Sequence, residues 1–525
     1  MSVVKRLLAV LVLAVGCAGS DRADPRSRPN FLIFLADDLG FSDIGCYGGE
    51  ISTPTIDGLA ADGLRFTQFY NTARCWPTRS CLLSGYYPQQ IRMDPPKGRL
   101  PRWTRLLPHE LKTAGYRSYH SGKWHVNGAP RPVADGGFDR SYDMNDQNRH
   151  FSPQSLREDD QPVAPVKRGS RYYSTSAIAD HAISCLQEHA RDRAGSPFFS
   201  YVAFISPHFP LHALQEDIDL YRDRYLEGWD VVRERRWTRL KEAGLLDNAL
   251  SARDPKFHPR YFKKEFLDQL GPGEVEGSPA WEELTPEQKR FQATKMAIHA
   301  AMVHRMDREI GRVLQQVRAM GALENTVVMF LSDNGADSTI LIRGDGHDPE
   351  AAPGSAGSFL CLGPGWASAS NSPFRRHKIW VHEGGISTPF IVRWPRGIRA
   401  RGEFRGTPGH VVDLAPTLLE LAGVAPPPSG GPARPGRTLV PALDRDVPIA
   451  RDGIYFNHEG NRALRMGDWK IVSFSENKDA WELYDLGKDR AEMNDLSGRD
   501  PDRVRDMERR WKALTDQFAR DAEGG

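Results

Sequence analysis

The sequence predicts an α/β protein built on one large, mostly parallel sheet that is flanked by helices. Four continuous apolar runs each end in turn-forming or polar residues, which is typical of strands buried on both faces; they are residues 31–36, 198–205, 327–331 and 389–394. Helix-like stretches stand between them, the clearest at residues 295–320, where apolar side chains recur at helical spacing. Strands that alternate with helices indicate a parallel sheet covered on both faces.

The chain is long enough for one large domain and a second, smaller one, at 525 residues. A linker rich in proline and glycine spans residues 426–436. Short strand-like pieces and an amphipathic helix at about residues 502–518 follow it. We therefore predict a main domain at residues 29–433 and a small C-terminal α+β subdomain at residues 434–525. The charged, proline-rich stretch 251–286 is predicted to be a surface excursion.

The N-terminus has the pattern of an export signal. Lys5 and Arg6 precede an apolar run from Leu7 to Val15, which is too short for a bilayer core of about 30 Å. We predict a signal peptide at residues 1–17 and a polar tether at residues 18–28. Residues 14–17 also resemble a lipoprotein box, so lipidation of Cys17 and ordinary cleavage nearby are both open. The expected location is the periplasm or cell envelope, with secretion as the alternative.

Charge and cysteine content argue against three classes of protein. The net charge of +2 includes Lys5 and Arg6 of the predicted signal, so the mature chain is close to neutral and lacks the basic character of a nucleic-acid-binding protein. The six cysteines fit neither the spacing of a zinc site nor a dense disulfide scaffold. One or two disulfides are compatible with export, but the sequence does not assign their pairs.

Two of the predicted strands end in adjacent oxygen ligands. Asp37 and Asp38 follow the first strand, and Asp333 and Asn334 follow the strand at residues 327–331. Sites in parallel sheets form at the carboxyl ends of the strands, so these four side chains are expected to converge. Carboxylate and amide oxygens suit Ca²⁺, or Mg²⁺, better than zinc. The alternative is that each aspartate caps a helix.

A second group of motifs points to a particular family. Cys75-Trp76-Pro77-Thr78-Arg79 and the Gly-Lys-Trp-His segment that contains Lys123 and His125 are the most specific of these motifs. Others are Pro-His-Phe-Pro around His208, Ser-Asp-Asn-Gly around Asp333, and Lys378 five residues before Glu-Gly-Gly. Together and in this order, from about residue 30 to about residue 496, they resemble the formylglycine-dependent, arylsulfatase-like sulfatases. In that family the fourth position of the first motif is usually Ser or Ala, so Thr78 is a departure.

The resemblance implies a fold, a cofactor and a set of roles. The fold would be an alkaline-phosphatase-like sandwich with its catalytic domain at residues 29–433. Cys75 would be converted to formylglycine by a maturation enzyme and would bind one calcium ion with the four oxygen ligands. Arg79 and Lys123 would hold the hydrated aldehyde. His208 and Lys378 would bind sulfate and protonate the leaving oxygen, and His125 would take the proton as the intermediate collapses. The substrate would be a sulfated carbohydrate or a small sulfate ester.

The residues in this set have the charges and proton donors that sulfate ester hydrolysis requires. A sulfate monoester places developing charge on its bridging oxygen in the transition state, so preorganised cations and a proton donor are what the reaction requires. Two alternatives remain from sequence alone. One is a phosphomonoesterase or phosphodiesterase on the same fold, and the other is a non-catalytic protein that binds sulfated glycans. The long stretch between Asn334 and Lys378, which includes Arg343, His347, Trp366 and Asn371, is predicted to line the leaving-group pocket.

Overall fold

The computed structural model describes residues 28–255, 257–425 and 430–524. The predicted signal peptide, the tether up to residue 27 and Cys17 lie outside the described residues. The strands are β1 (Asn30–Ala36), β2 (Leu64–Phe66), β3 (Phe69–Tyr70), β4 (Arg117–Gly122), β5 (Arg140–Met144), β6 (Leu156–Glu158), β7 (Gln161–Val163), β8 (Phe198–Ala203), β9 (Thr326–Ser332), β10 (Phe390–Arg393), β11 (Glu403–Arg405), β12 (Gly409–His410), β13 (Ile454–His458), β14 (Asn461–Met466), β15 (Trp469–Ser473) and β16 (Trp481–Asp485).

The helices complete the chain order. They are α1 (Pro54–Ala61), α2 (Cys75–Ser84), α3 (Leu107–Leu111), α4 (Ser174–Asp192), α5 (Gln215–Asp219), α6 (Trp229–Glu242), α7 (Lys264–Leu270), α8 (Pro286–Ala319), α9 (Pro364–Ser370), α10 (Glu383–Ile386), α11 (Leu414–Leu421), α12 (Val440–Asp444) and α13 (Pro501–Glu523). None of the helices in the described part of the chain combines the length and the apolar character needed to cross a bilayer.

A ten-stranded sheet organises the main domain in the order β11-β2-β10-β9-β1-β8-β4-β5-β6-β7. Its centre, β9-β1-β8-β4-β5, is entirely parallel, whereas β10 runs antiparallel to β9 and to β2. The register pairs Leu35 with Ala203 on one side and with Leu331 on the other. The carboxyl ends of β1, β8 and β9 therefore lie at one edge of the sheet. The predicted fold class is confirmed.

Strand β1 shows why both faces of the sheet must be covered. Leu32 and Phe34 belong to one apolar core, which α4 and α8 cover, and Phe31 and Ile33 belong to a second core, which α2, α3 and α11 cover. All four side chains are fully buried. Alternation along a strand sends successive side chains to opposite faces, so an unbroken apolar run is the pattern that a doubly covered strand requires.

Residues with specific capping roles mark both ends of the long helix α8. Thr285 accepts a hydrogen bond from the Gln288 N–H at 3.2 Å, and the Gln288 side chain accepts one from the Thr285 N–H at 2.9 Å. This capping box is followed by Pro286 in the first turn, where a missing N–H costs nothing. Gly321, with φ of +68°, follows the last turn and adopts a left-handed conformation that glycine tolerates.

The C-terminal part is an antiparallel meander, β13-β14-β15-β16, against which α13 packs. A buried ion network ties it to the main domain. Lys470 lies 3.0 Å from Glu383 and 2.8 Å from Glu492, and Arg490 lies 3.0 Å from Glu383. Because Glu383 begins α10 close to Lys378, the C-terminal strands support a loop that carries a predicted site residue.

Residues 251–286 were expected to form a surface excursion, and this prediction is wrong for two aromatic residues that are buried. Phe257 and Trp281 are 5% and 4% exposed. The Trp281 ring packs against Trp229 at 4.8 Å between ring centroids, and the Phe257 ring packs against Trp380 at 4.9 Å. Charged neighbours in the sequence hide these two residues, and only their contacts with distant aromatic residues bury them.

Candidate active site

The site lies at the carboxyl edge of the parallel strands. Four adjacent strands each deliver a polar segment there, because the parallel register brings their carboxyl ends together. The segments begin directly after β1, β9, β4 and within a few residues of β8, and they carry Asp37, Asp38, Asp333, Asn334, Lys123 and His208. Three further site residues come from elsewhere. Helix α2 carries Cys75 and Arg79, and the loop that precedes α10 carries Lys378.

Cys75 is the first residue of α2 and is 3% exposed. Its Sγ and one carboxylate oxygen of each of Asp37 and Asp333 all lie within 4.8 Å of one another. Burial opposes ionisation of the thiol, but the ammonium groups of Lys123 and Lys378 outweigh it and lower the pKa of Cys75. The position therefore stabilises a negative charge, as the start of a helix also does.

Thr78 holds the loop that leads into α2. Its Oγ1 accepts a hydrogen bond from the Thr72 N–H at 3.0 Å and lies 2.9 Å from the Thr72 hydroxyl. The side chain is fully buried. Threonine at this position therefore supplies the hydroxyl that serine would, and its extra methyl group is accommodated in the packing.

Each predicted anion-binding cation is paired with a predicted metal-ligand carboxylate. Lys123 Nζ lies 2.5 Å from Asp37 Oδ2, and Lys378 Nζ donates to both oxygens of Asp38 at 2.6 and 2.8 Å. The Arg79 guanidinium is fully buried; its Nε and Nη2 donate to Asp333 Oδ2 at 2.9 and 2.7 Å, and its Nη1 donates to the backbone carbonyl of Lys123 at 2.7 Å. Buried charges of this kind are retained only when they are paired.

Two buried oxygens in this cluster have no hydrogen-bond partner among the described residues: Asp37 Oδ1 and Asn334 Oδ1. The Asn334 amide donates to Asp38 Oδ1 at 2.7 Å and to the Gly335 carbonyl at 2.9 Å, which leaves its oxygen as the free atom. Unsatisfied buried acceptors are uncommon and call for an explanation. A hard cation bound by oxygen ligands supplies one, and the donor set of carboxylates and an amide fits it.

Backbone strain is concentrated at two predicted site residues. Asp38 and His125 both adopt a left-handed conformation, with φ of +67° and +53°. Such conformations are uncommon for residues other than glycine and cluster at functional sites. Gly335 meets a further constraint, because a Cβ there would lie 1.9 Å from the carbonyl oxygen of Gly384. Only glycine lets the segment after β9 approach α10 this closely.

The two predicted sulfate-binding groups differ in their charge. His208 Nδ1 donates to the Phe209 carbonyl at 2.5 Å, and its Nε2 lies 3.7 Å from Asp38 Oδ2. Burial lowers the pKa of His208 well below its usual value, so the imidazole is neutral at pH 7. Burial alone would also lower the pKa of Lys378. The negative charges of Asp38 and Asp337 outweigh the effect of burial, so the pKa of Lys378 is raised. Lys378 is therefore a permanent cation.

His125 lies beside the cluster and is half-buried. Its ring packs edge-on against Trp76, with ring centroids 5.7 Å apart, and its Nδ1 has no partner among the residues the structure describes. Burial and the charges of Lys123 and Arg79 lower the pKa of His125 well below its usual range. A neutral imidazole in this position can accept a proton.

Three supporting residues, Asp337, Lys470 and Arg490, are not indicated by the sequence. Asp337 Oδ2 lies 3.1 Å from Lys378 Nζ, so Lys378 has two carboxylate partners. Its position four residues after Asp333 is the only signal in the sequence. Glu383 belongs to a motif segment, but nothing in the sequence indicates that Lys470 and Arg490 neutralise it.

The stretch predicted to line a leaving-group pocket has a different role at two positions. Trp366 is fully buried in the core, where its indole donates to the Gln292 carbonyl at 2.7 Å. Asn371 is also fully buried; its Oδ1 accepts from the Ala336 N–H at 2.8 Å. The prediction is wrong for these two residues, because their contacts are with the core and with the loop after β9. Arg343 lies 5.8 Å from the Phe209 ring, and His347 accepts from the Phe359 N–H.

The family model for sulfatases matches residues 29–424, and a model for the C-terminal region of N-sulphoglucosamine sulphohydrolase matches residues 375–517. An uncharacterised sulfatase of Schizosaccharomyces pombe is 33% identical over 92% of this chain and 93% of its own length. An arylsulfatase of Klebsiella aerogenes is 32% identical over 80% of this chain and 92% of its own length. The fold and the sequence thus define a sulfuric ester hydrolase. The chain belongs to the sulfatase family.

Solved structures agree on the fold. Ps i-CgsB in complex with k-i-k-neocarrahexaose superposes with a TM-score of 0.65 at 22% identity and covers 93% of each chain. A second structure, solved with its substrate D-glucosamine-2-N,6-O-disulfate, gives a TM-score of 0.64 at 21% identity and covers 95% of this chain and 99% of that chain.

Proposed function

We propose that this sulfatase hydrolyses sulfate monoesters of carbohydrates through a formylglycine made from Cys75. The observation that carries the proposal is the position of the Cys75 side chain at the start of α2, beside the carboxylates of Asp37 and Asp333 and within the field of two lysines. The modification replaces the thiol by an aldehyde, and hydration of the aldehyde gives a geminal diol. One hydroxyl of that diol is the nucleophile.

In the first step one hydroxyl of the diol gives its proton to the neighbouring Asp333 carboxylate as its oxygen forms a bond to sulfur, and the bond between sulfur and the bridging oxygen breaks. Lys123 and Arg79 stabilise the nucleophile, and Lys378 and His208 bind the sulfate oxygens. The departing oxygen takes its proton from this second pair. The charged Lys378, which is held by Asp38 and Asp337, is the stronger candidate for the donor, since His208 is neutral.

In the second step the sulfated diol collapses. His125 removes the proton from the remaining hydroxyl, the carbon–oxygen bond to sulfate breaks, and the aldehyde re-forms as sulfate leaves. A neutral His125 with an unpartnered Nδ1 suits this role. Water then hydrates the aldehyde for the next turnover. Covalent catalysis in this form divides one difficult displacement into two easier ones.

The residues that would hold one Ca²⁺ ion are Asp37, Asp38, Asp333 and Asn334, together with the modified residue at position 75. When bound, such an ion orients the sulfate and lowers the cost of charge on its oxygens. The free oxygens of Asp37 and Asn334 support this assignment, as does the preference of calcium for oxygen ligands. Mg²⁺ is the alternative ion.

Carbohydrate sulfates are favoured by two relatives. An N-acetylglucosamine-6-O-sulfatase of Bacteroides thetaiotaomicron is 24% identical over 94% of this chain, and a solved neighbour binds a sulfated glucosamine as its substrate. The test is a sulfate-release screen over defined monosulfated sugars, a simple aryl sulfate and the matching phosphate esters. We expect release from at least one sulfated sugar and none from the phosphates. Faster hydrolysis of the phosphate esters would overturn the proposal.

We also propose that the enzyme is exported and acts in the periplasm or cell envelope, after conversion of Cys75 by a maturation enzyme. The support is the N-terminal signal pattern, with Cys17 as the candidate lipid anchor. Cell fractionation of the native chain and a Cys17→Ala variant tests the location. Recovery of both in the cytoplasm contradicts export, whereas release of the variant alone from the membrane identifies the anchor.

A further inference from the structure

Beside the nucleophile, five side chains form a group that the proposed chemistry does not fully use. We call it the Trp76 cluster: Arg74, Trp76, His125, Tyr261 and His458. The Arg74 guanidinium lies 5.1 Å from the Trp76 ring and 5.7 Å from the Tyr261 ring. The rings of His125 and His458 lie 5.7 and 5.5 Å from that of Trp76. Four parts of the chain thus meet at this point: the start of α2, the segment after β4, the stretch before α7 and the end of β13.

The hydrogen-bonding groups of this cluster are largely unused. Among the residues that the structure describes, the Arg74 side chain has neither a hydrogen bond nor a carboxylate within ion-pair distance, and its Nε is buried. Trp76 Nε1, His125 Nδ1 and His458 Nε2 are buried and lack hydrogen-bond partners as well. Buried polar atoms without partners are costly unless a ligand satisfies them.

The nearby carboxylates are already engaged. Glu459 accepts hydrogen bonds from the Tyr261 hydroxyl at 2.9 and 2.7 Å and lies 3.5 Å from Arg260 Nε. Its Oε1 is 3.8 Å from His458 Nε2, beyond hydrogen-bond length. Asp337 pairs with Lys378 at 3.1 Å. Among the residues that the structure describes, the charge of Arg74 is therefore met only by the faces of the Trp76 and Tyr261 rings and by carboxylates that lie beyond ion-pair distance, although it stands next to Cys75 in the chain.

The scissile sulfate does not need this charge, because Arg79, Lys123 and Lys378 already surround the nucleophile. A guanidinium offers two parallel donors that match a carboxylate or a sulfate, and it stays charged at every physiological pH. The Trp76 indole adds an apolar surface beside it, with a free N–H for a hydroxyl. This combination suits a sugar ring that carries an anionic group of its own.

We propose that the Trp76 cluster is the leaving-group subsite and that Arg74 selects sugars bearing a second anionic group, a carboxylate or a further sulfate, near the scissile ester. This proposal rests on the proposed function, since the sugar is the leaving group of that reaction. Arg74 is then a specificity-determining residue.

The test compares matched substrates on one enzyme preparation. One arm sets the 2- and 3-sulfates of glucuronic acid against those of glucose, and the other sets galactose 4,6-disulfate against galactose 6-sulfate. We expect the wild type to favour the more anionic member of at least one arm by about tenfold or more in kcat/KM, in line with the energy of a charged hydrogen bond. The arm that shows the preference identifies the anion as carboxylate or sulfate.

The variant Arg74→Gln is expected to reduce that preference to about twofold or less. Arg74→Lys should retain part of the preference, because lysine keeps the positive charge but lacks the two parallel N–H donors of the guanidinium. The ratio of two substrates on one preparation does not depend on the fraction of Cys75 that has matured. Arg260→Gln is the matched control, since Glu459 already engages that arginine, and it should leave the ratio unchanged.

Three results would overturn the inference: a wild type without preference in either arm, an Arg74→Gln variant that slows both substrates equally, or an equal loss of preference in Arg260→Gln. Calorimetric binding of the same sugars to Cys75→Ala, with and without Arg74→Gln, measures the subsite independently of turnover. A wild type that binds anionic sugars through Arg74 but releases no sulfate contradicts the proposed function alone. Binding that Arg74→Gln leaves unchanged contradicts the subsite.

Discussion

At the residue scale, the site depends on small groups that position larger ones. Thr78 illustrates this point, since its hydroxyl is the partner of the Thr72 N–H in the turn that leads to Cys75. Loss of the hydroxyl would leave a buried donor unsatisfied and would loosen the residue that carries the nucleophile. Arg79, in the same helix, is held by an ion pair with Asp333.

Thr78→Val removes this hydroxyl at nearly constant volume. We expect it to lower the free energy of unfolding by about 1–3 kcal/mol, the cost of an unsatisfied buried donor, and to reduce sulfate release per formylglycine. Denaturant unfolding and peptide mass spectrometry measure the two effects. Thr78→Ser, which keeps the hydroxyl, is the control and should remain near wild type. Equal stability of the valine and serine variants would show that the hydroxyl is unimportant.

A second residue-scale prediction concerns pH. Asp143 is buried, and its desolvation raises the pKa of the carboxyl to about 7, although Asn145 donates to it at 2.8 Å. Between pH values of 3.8 and about 7, the folded chain therefore holds a proton that the unfolded chain, in which the carboxyl has its ordinary pKa of 3.8, has already released. The stability from this site is present at low pH and is lost as the pH rises through about 7.

Asp143→Asn should remove this dependence. The stability of the wild type minus that of the variant should be larger at pH 5 than at pH 8. Melting temperatures of both proteins at the two pH values measure this difference. A constant difference between the two proteins across this range would mean that Asp143 does not titrate there.

At the scale of elements, the sequence predicts strands whose apolar runs are unbroken and misses those whose buried side chains are polar. Strand β1 was predictable because all of its central residues are apolar. Strand β4 was not, because its sequence includes Ser118, His120 and Ser121, which are buried only by virtue of partners elsewhere. His120 bonds to Ser141, and Ser121 bonds to His181, each at under 3 Å.

The same limit applies to the candidate site. The resemblance of five short motifs to those of a family supplied the residues, and the parallel order of the strands explains why these residues meet. The resemblance did not indicate the partners of Lys378 and Glu383. Asp337, the partner of Lys378, lies on an irregular loop, and Lys470, the partner of Glu383, belongs to the C-terminal sheet. Contacts between distant segments leave no periodic signal in the chain.

The buried network around Glu383 provides a prediction for the C-terminal strands. Lys470→Met removes the cation between Glu383 and Glu492 and leaves two buried carboxylates with less compensation. We expect a loss of about 3–5 kcal/mol in the free energy of unfolding, measured with urea. Lys488→Met, at an exposed lysine that pairs with Asp485, is the control and should change stability by less than about 1 kcal/mol. Similar small losses in both would contradict a structural role for the network.

At the scale of the whole molecule, one bound ion would join three segments of the chain, and the first and last of them are nearly 300 residues apart. Such a cation binds the folded state alone, so its removal should destabilise the protein. We predict that a chelator lowers both the melting temperature and the rate of sulfate release, and that Ca²⁺ restores both. At a hundred times the dissociation constant the ion contributes about 2.7 kcal/mol. Recovery with Mg²⁺ alone would identify the ion as Mg²⁺, and full activity in the presence of the chelator would show that catalysis needs no metal ion.

The central claim is that the side chain at position 75 is the nucleophile and acts as formylglycine. Mass spectrometry of the peptide around Cys75, combined with the rate of sulfate release from the same preparations, tests it most directly. We expect that a peptide lighter than the cysteine form is present, that activity rises in proportion to its fraction, and that Cys75→Ala is folded but inactive. Full activity in a preparation that holds only unmodified cysteine, or in Cys75→Ala, would contradict it.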